Sequence, residues 1–429
     1  METIVKITLW NQDMAALTWD KDKESGVLEF FEEFSTLNLD IAPLIMPLDD
    51  IRRGERIFQF ATNKGKTFKG LPGLVADSLP DDYGNLVINE WITGKGLDQE
   101  SVTPVDRLCY VGKRGMGALE YEPATSNHSL DESSLLEIKQ LTELANEILN
   151  RRAHFKTKLS QGEKSYMDIL KVGTSAGGAK PKAIIAYNEK TGEVRSGQVK
   201  APEGFTYWLL KFDGIEDGKL KDNPAGIGNI EYAYYKMAID CGINMMDSRL
   251  LSEGSHAHFM TKRFDRKDDG SKIHTQTLCA LAHFDRDSQY SYEQGFQVMR
   301  RLSLPYNDME QFFRRMVFNV IARNHDDHTK NHSFMMDTDG SWRLAPAYDL
   351  CYAYSSSGKW IKEHQLSLGN KRDSFVHNDL LAVGRQVGIR SANVLISQIT
   401  DVVSRWKTYA QDAGVRKEHI EQIAQTHLL

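Results

Sequence analysis

Ile4-Val-Lys-Ile-Thr-Leu-Trp10 alternates apolar and polar side chains, the two-residue period of a half-buried strand. Residues 1 to about 122 read as mixed strands and turns. Ser78-Leu-Pro-Asp-Asp-Tyr-Gly84 is a Pro/Asp/Gly turn cluster ahead of a helix predicted from Leu86 to Thr93. Glu122 to Ser133, rich in Pro, Ser, Asn and Asp, has the composition of a linker. The period then lengthens. Leu135, Ile138, Leu141, Ala145, Ile148 and Leu149 recur mainly at spacings of three and four, which predicts a helix.

A β-rich block runs from Lys171 to about Arg266. Ala183–Tyr187 and Glu193–Lys200 read as strands joined through the turn Asn188-Glu-Lys-Thr-Gly192. Thr206–Phe212 is a third strand, dense in aromatics that favour a pleated surface. Ile230 to Cys241 predicts a helix ended by Gly242, and Ala257 to Phe264 a return strand. From about Lys267 the pattern turns helical. Phe312, Phe313, Met316, Val317, Val320 and Ile321 make one apolar face at the 3.6-residue period. Asn331–Met336 and Trp342–Leu344 flank Asp337-Thr-Asp-Gly340 as a hairpin, and two or three helices are expected between Leu381 and His427. The expected domains are 1–122, 134–266 and 267–429, with no internal repeat.

Composition changes this picture little. At 429 residues the chain can bury a sizeable core without staples, and its 41% hydrophobic and 26% charged content is ordinary. A net charge of -6 argues against a broad nucleic-acid-binding surface. Cys109, Cys241, Cys279 and Cys351 lie far apart with no CxxC pair, which fits a reducing compartment. No stretch approaches ~18 continuous apolar residues, and the N-terminus lacks the apolar region of a signal peptide. No membrane segment is expected, and the expected location is the cytoplasm.

The chemistry concentrates in Asn324-His325-Asp326-Asp327-His328-Thr329-Lys330-Asn331 and, beyond the hairpin, Ala347-Tyr348-Asp349-Leu350. An Asp five positions before an Asn, then a lone Asp, is the order a phosphoryl-transfer site needs. One carboxylate takes the acceptor hydroxyl's proton, while an amide and a second carboxylate hold Mg²⁺ on nucleotide phosphates. A polar loop capping a helix end would show similar residues. Upstream, Gly173-Thr-Ser-Ala-Gly-Gly-Ala-Lys-Pro-Lys182 can bring backbone N–H groups against phosphate oxygens, or can be a plain surface loop. It is not a Walker A motif, because no GK[ST] closes it and a strand follows. Lys211, inside the apolar strand Trp208–Phe212, could reach α- and β-phosphates or snorkel from an edge strand. Arg263-Phe264-Asp265-Arg266 either forms a hinge against adenine, with Phe264 nearest, or simply ends a strand.

Together these motifs resemble the HipA family of bacterial serine/threonine kinases, the toxin halves of HipA–HipB toxin–antitoxin pairs. Ser78–Gly84 and Tyr110-Val-Gly-Lys-Arg-Gly-Met-Gly-Ala118 look like that family's N-terminal subdomain. The resemblance implies an α+β, bilobal, protein-kinase-like fold with an N-terminal mixed subdomain and a mainly helical C-terminal lobe. It implies ATP and Mg²⁺ as cofactors and Asp326 as the catalytic base. Asn331 and Asp349 are then the magnesium ligands. The nucleotide would meet Ser175, Ala176, Gly177, Gly178, Ala179, Lys180, Lys211, Phe264, His328, Lys330, Asn331 and Asp349. Ser175 matches the family's autophosphorylation position, with Thr174 beside it. A phosphate added there would repel ATP phosphates and compete for the same N–H donors. Implied partners are a DNA-binding HipB-like antitoxin on a separate chain and a protein substrate of the aminoacyl-tRNA synthetase class. No direct nucleic-acid contact is implied. One departure is Lys262, where family hinges often carry an acid two positions before the Phe.

Two rival readings stay open at this level. His325, His328 and His332 with Asp326 and Asp327 could form the metal cluster of a phosphohydrolase. A catalytically silent pseudokinase could serve only as a scaffold.

Overall fold

The computed structural model describes residues 4–94, 96, 98–123, 133–150, 172–173, 180–215, 226–358 and 360–429. The chain forms two compact units. The first comprises Met1–Ala42, Met46–Ala225 and Arg249–Thr275, and the second Pro43–Ile45, Gly226–Ser248 and Gln276–Leu429.

Among its described residues the first unit holds two five-stranded sheets. In one, the order is Ile57–Gln59, Ser25–Phe30, Gln12–Asp20, Val5–Leu9, Leu119–Glu122, antiparallel throughout. Val5, Ile7 and Leu9 are buried, as the alternation from Ile4 to Trp10 predicts. In the other, the order is Val194–Ser196, Lys182–Tyr187, Thr206–Lys211, His256–Lys262, Ser248–Glu253. The expected strand Glu193–Lys200 stops at Ser196 because the chain crosses its neighbour too closely to continue. Gly197 donates its N–H to the Ile184 carbonyl at 3.0 Å, and a Cβ there would lie 2.3 Å from the Ile185 carbonyl oxygen.

Register explains the core of this unit. Ala183 faces Leu210 and Ile185 faces Trp208 across the sheet, so all four side chains share one face. Helices Asp82–Gly94 and Ile138–Asn150 pack Tyr83, Val87, Leu141, Leu144 and Ala145 into the same buried cluster. Residues 124–132, the centre of the expected linker, lie outside the described residues.

The second unit is mainly helical around one apolar core. In the helix Tyr306–Ile321 every predicted apolar-face residue, Phe312, Phe313, Met316, Val317, Val320 and Ile321, is buried. The hairpin forms with Phe334 opposite Leu344. Four helices close the described chain rather than two or three: His377–Val387, Ala392–Ser404, Trp406–Asp412 and Lys417–Ala424. The extra break falls at Arg405, where the apolar series Val402, Val403, Trp406, Ala410 runs on, so periodicity does not register it. Among the described residues no helix is long and apolar enough to cross a membrane. The four cysteines are free thiols.

Candidate active site

The helix Tyr306–Ile321 ends at Ala322, and Arg323 turns the chain with φ +58° into the loop carrying Asp326. Side-chain amides then fix the path. Asn324 Nδ2 donates to Asn319 Oδ1 at 2.9 Å and to the Asp349 carbonyl at 3.3 Å, tying the Asp349 segment to the helix end. His325 N–H donates to the Ala353 carbonyl at 3.0 Å, and Ala353 N–H returns to Arg323 at 3.1 Å. The loop and the stretch after Asp349 are therefore zipped together in parallel.

Within this frame Asn331 Nδ2 donates to the Asp326 carbonyl at 2.7 Å. That bond closes the short turn Thr329–Asn331, where Asn331 N–H also meets the His328 carbonyl at 2.8 Å. It leaves the Asn331 amide oxygen as a potential ligand. Tyr348 donates its hydroxyl to the Lys330 carbonyl at 2.7 Å, which draws the neighbouring Asp349 to the same loop. Asp349 itself sits at φ +53°, in the left-handed region that Asp tolerates better than most residues. The Asp326 carboxylate stays half exposed, with His328 Nε2 3.7 Å away. Burial pushes the His328 imidazole down to about 4; Arg286 adds to this and the Asp349 carboxylate opposes it. The His328 ring that faces Asp326 is thus neutral at neutral pH.

Beneath Asp326 lies a network the motifs did not reveal. The Asp327 carboxylate accepts from Tyr292 Oη at 2.7 Å, His364 Nδ1 at 2.8 Å and the backbone N–H groups of Gln365 at 2.7 Å and Leu366 at 3.4 Å. Burial alone would raise its carboxyl. His364, then the Tyr292 hydroxyl and the Gln365 N–H, outweigh burial and hold it below the usual carboxylate range. Tyr292 accepts from Asn319 Nδ2 at 3.0 Å, linking the network to the helix that delivers the loop. A sequence signal existed for the Tyr292 element. Ser291 and Gln294 make a capping box that starts the helix Tyr292–Arg301.

The histidines disperse instead of converging. His325 lies tilted against His364 with ring centres 4.0 Å apart, and His332 packs edge-on to Phe312 at 5.0 Å. Among the described residues no group of three or more His, Cys, Asp or Glu side chains is placed to hold a metal ion. Mg²⁺ in a nucleotide site asks for less: one or two protein oxygens, with phosphates and water completing the shell. The amide oxygen of Asn331 and the carboxylate of Asp349, hard donors on one frame, fit that requirement.

The remaining described candidates, Lys180, Lys211 and Phe264, lie in the first unit. Ser175, Ala176, Gly177, Gly178 and Ala179, with Thr174, lie outside the described residues; Lys180 is exposed. Lys211 ends the strand Thr206–Lys211 opposite Phe259 and Lys182, its Nζ 5.8 Å from the centre of the Phe259 ring. Phe264 is half-buried in the turn after the strand His256–Lys262, between two buried ionic neighbours. Arg263 Nη2 and Arg266 Nη1 lie 2.6 and 2.7 Å from Asp265 Oδ2, which also accepts the Gly117 N–H at 2.8 Å. Arg266 donates onward to the carbonyls of Gly117 and Gly115. The run from Arg263 to Arg266 thus does more than end a strand. Lys262, at the departure from the family hinge, pairs with Asp268 at 2.8 Å.

Asp326, His328, Lys330, Asn331 and Asp349 share the second unit, and Lys180, Lys211 and Phe264 the first. Comparison with known proteins gives the family. The model of the HipA N-terminal domain matches residues 5–122, and that of the HipA-like C-terminal domain residues 174–427. "Putative kinase Y4mE" of Sinorhizobium fredii is 27% identical over 126 residues, 27% of this chain and 30% of that protein. "Putative kinase Y4dM" of the same organism is 32% identical over 91 residues, 21% of this chain and 22% of that protein. The chain thus spans less than a third of the length of either relative. A chain in the solved Shewanella oneidensis MR-1 toxin–antitoxin complex of HipA, HipB and operator DNA superposes with a TM-score of 0.65 at 17% identity. That likeness covers 99% of this chain and 94% of that one, and shows a shared α+β, kinase-like fold. With the C-terminal model alone covering more than half of its length, the chain belongs to the HipA family.

Proposed function

We propose that this chain is a Mg²⁺- and ATP-dependent protein serine/threonine kinase of HipA type. The observation that carries the reading is the Asn331–Asp326 hydrogen bond at 2.7 Å on the loop to which Tyr348 and Asn324 draw Asp349. Phosphoryl transfer needs little covalent help from the protein. It needs reactants positioned and charge neutralised. In this reading Asp326 orients the acceptor hydroxyl and takes its proton as that oxygen bonds to the γ-phosphorus and ADP departs. Lys211 pairs with the α- and β-phosphates. The loop from Ser175 through Lys180 covers the triphosphate with backbone N–H groups, and Phe264 lies against adenine. His328 and Lys330 border the nucleotide, and Asn331 and Asp349 would hold Mg²⁺, which when bound neutralises phosphate charge.

The relatives named as kinases support the activity, and the complex solved with HipB and operator DNA supports a HipB-like antitoxin as partner. We extend the reading to autophosphorylation of Ser175, to a protein substrate of the aminoacyl-tRNA synthetase class, and to a cytoplasmic growth-arresting toxin. The test is the fate of the γ-phosphate of labelled ATP. Label on protein hydroxyls supports the kinase; label released only as inorganic phosphate supports a hydrolase and refutes it.

A further inference from the structure

Two carboxylates stand side by side in the loop, and their surroundings give them opposite work. The Asp326 side chain is 50% exposed, open to an incoming hydroxyl, whereas that of Asp327 is 0% exposed. The Asp327 carboxylate faces inward, onto the Tyr292 hydroxyl, His364 Nδ1 and the N–H groups of Gln365 and Leu366. A carboxylate enclosed by four donors is out of reach of an acceptor protein. It can hold its neighbour still.

His364 is itself firmly placed. An ionised carboxylate only accepts, so His364 Nδ1 carries the proton of the 2.8 Å bond to Asp327. The ring is fully buried, with the His325 ring centre 4.0 Å away and that of Phe375 at 5.4 Å. Its backbone is fixed as well. His364 N–H donates to the Arg372 carbonyl at 2.9 Å, and Arg372 Nε donates to the His364 carbonyl at 2.6 Å. Asn331 Nδ2 holds the Asp326 carbonyl at 2.7 Å, and His325 N–H holds the Ala353 carbonyl at 3.0 Å. Asp326 is thus gripped through its own carbonyl and through both of its neighbours in the chain.

We propose that His364, acting through Asp327, is a positioning residue for phosphoryl transfer: its Nδ1–H sets the place of the Asp326 carboxylate. The inference rests on the kinase reading. A displacement of about 1 Å at a reacting group costs on the order of 100-fold in rate, so a buried bond one residue away has leverage over the step. Asn324 and Tyr348 hold the Asp349 segment separately. The loss therefore falls on the rate and spares the affinity for Mg–ATP.

Two substitutions separate the N–H group from the ring. His364→Asn keeps a donor close to the place of Nδ1 and gives up the ring; His364→Phe keeps the ring and gives up the donor. The full chain and each variant, shown folded by circular dichroism, receive Mg²⁺ and γ-labelled ATP, and label entering the chain's own hydroxyls is followed over time. His364→Phe should lower the rate constant at saturating ATP about tenfold or more. His364→Asn should lose clearly less, and half-saturating ATP should stay within about twofold of wild type in both. A purely structural ring would give the reverse order, with Phe the milder change. Tyr292→Phe, which removes another hydrogen bond to Asp327, should also slow transfer at unchanged half-saturating ATP, and it carries the test if a His364 variant fails to fold. Wild-type rate in His364→Phe or Tyr292→Phe, a slower Asn than Phe variant, or a loss confined to ATP affinity would each overturn the proposal. Wild-type protein that takes up no label refutes the kinase reading itself, and this inference with it.

Discussion

His364 Nδ1 lies 2.8 Å from Asp327 Oδ2, and both side chains are fully buried. This pair, with Tyr292 and Gln365, pins the residue next to Asp326 to a segment 37 positions later. Removing the carboxylate strands four donors, the Tyr292 hydroxyl, His364 Nδ1 and the N–H groups of Gln365 and Leu366. Asp327→Ala should therefore cost about 3–5 kcal/mol in urea unfolding. Tyr292→Phe, which removes one hydroxyl, should cost about 1–2 kcal/mol. An unchanged midpoint for Asp327→Ala would contradict the anchoring role.

Acid should unfold the protein through its buried imidazoles. Burial is the main cause that pushes His274, His325 and His332 down to about 3 and His283, His328 and His427 down to about 4. Below the ordinary value of 6.5 the unfolded chain takes up protons that the folded one refuses. Stability then falls as pH drops from about 6.5 toward 4, by up to about 1.4 kcal/mol per pH unit for each such histidine. Above that window these groups contribute nothing pH-dependent. Urea midpoints measured at intervals between neutral and mildly acid pH should decline steadily; a flat profile would refute the burial of these rings.

The Arg263–Asp265–Arg266 cluster predicts a different defect. Burial would raise the Asp265 carboxyl, yet the two guanidinium groups hold it far below the carboxylate range. Asp265→Ala leaves two buried cations without their counter-charge and should cost about 3–5 kcal/mol. Thermal melting of the purified variant checks this, and a melting temperature equal to wild type would show the cluster to be dispensable.

The local features were legible in the sequence, and the long-range ones were not. The helix face from Phe312 to Ile321 and the hairpin around Asp337–Gly340 follow from periodicity and turn chemistry, and both form as read. The Asp326–Asn331 relation spans five residues, so spacing alone could suggest it. The Asp327 partners are Tyr292, 35 positions earlier, and His364, 37 later, and no period links them. The break at Arg405 was hidden because apolar spacing continues through it. Sequence leaves Arg263–Arg266 as either a hinge or a strand end and does not show the ion cluster, because the cluster depends on Gly115 and Gly117 about 150 residues away.

The magnesium assignment makes a quantitative claim. Asp349→Asn keeps the shape of the side chain but removes the charge that favours a hard cation. The Mg²⁺ concentration for half-maximal phosphate transfer should rise by about 10- to 100-fold. A metal titration of initial rates checks it, and superimposable curves for variant and wild type would remove Asp349 from the ligand set.

The most direct test is mass spectrometry of the purified protein after incubation with Mg²⁺ and ATP, beside the Asp326→Ala variant treated identically. Wild type should carry phosphoserine at position 175, and the variant none. Phosphate at undiminished level in the variant would contradict Asp326 as the base; a wild-type protein that never gains phosphate would contradict self-directed transfer.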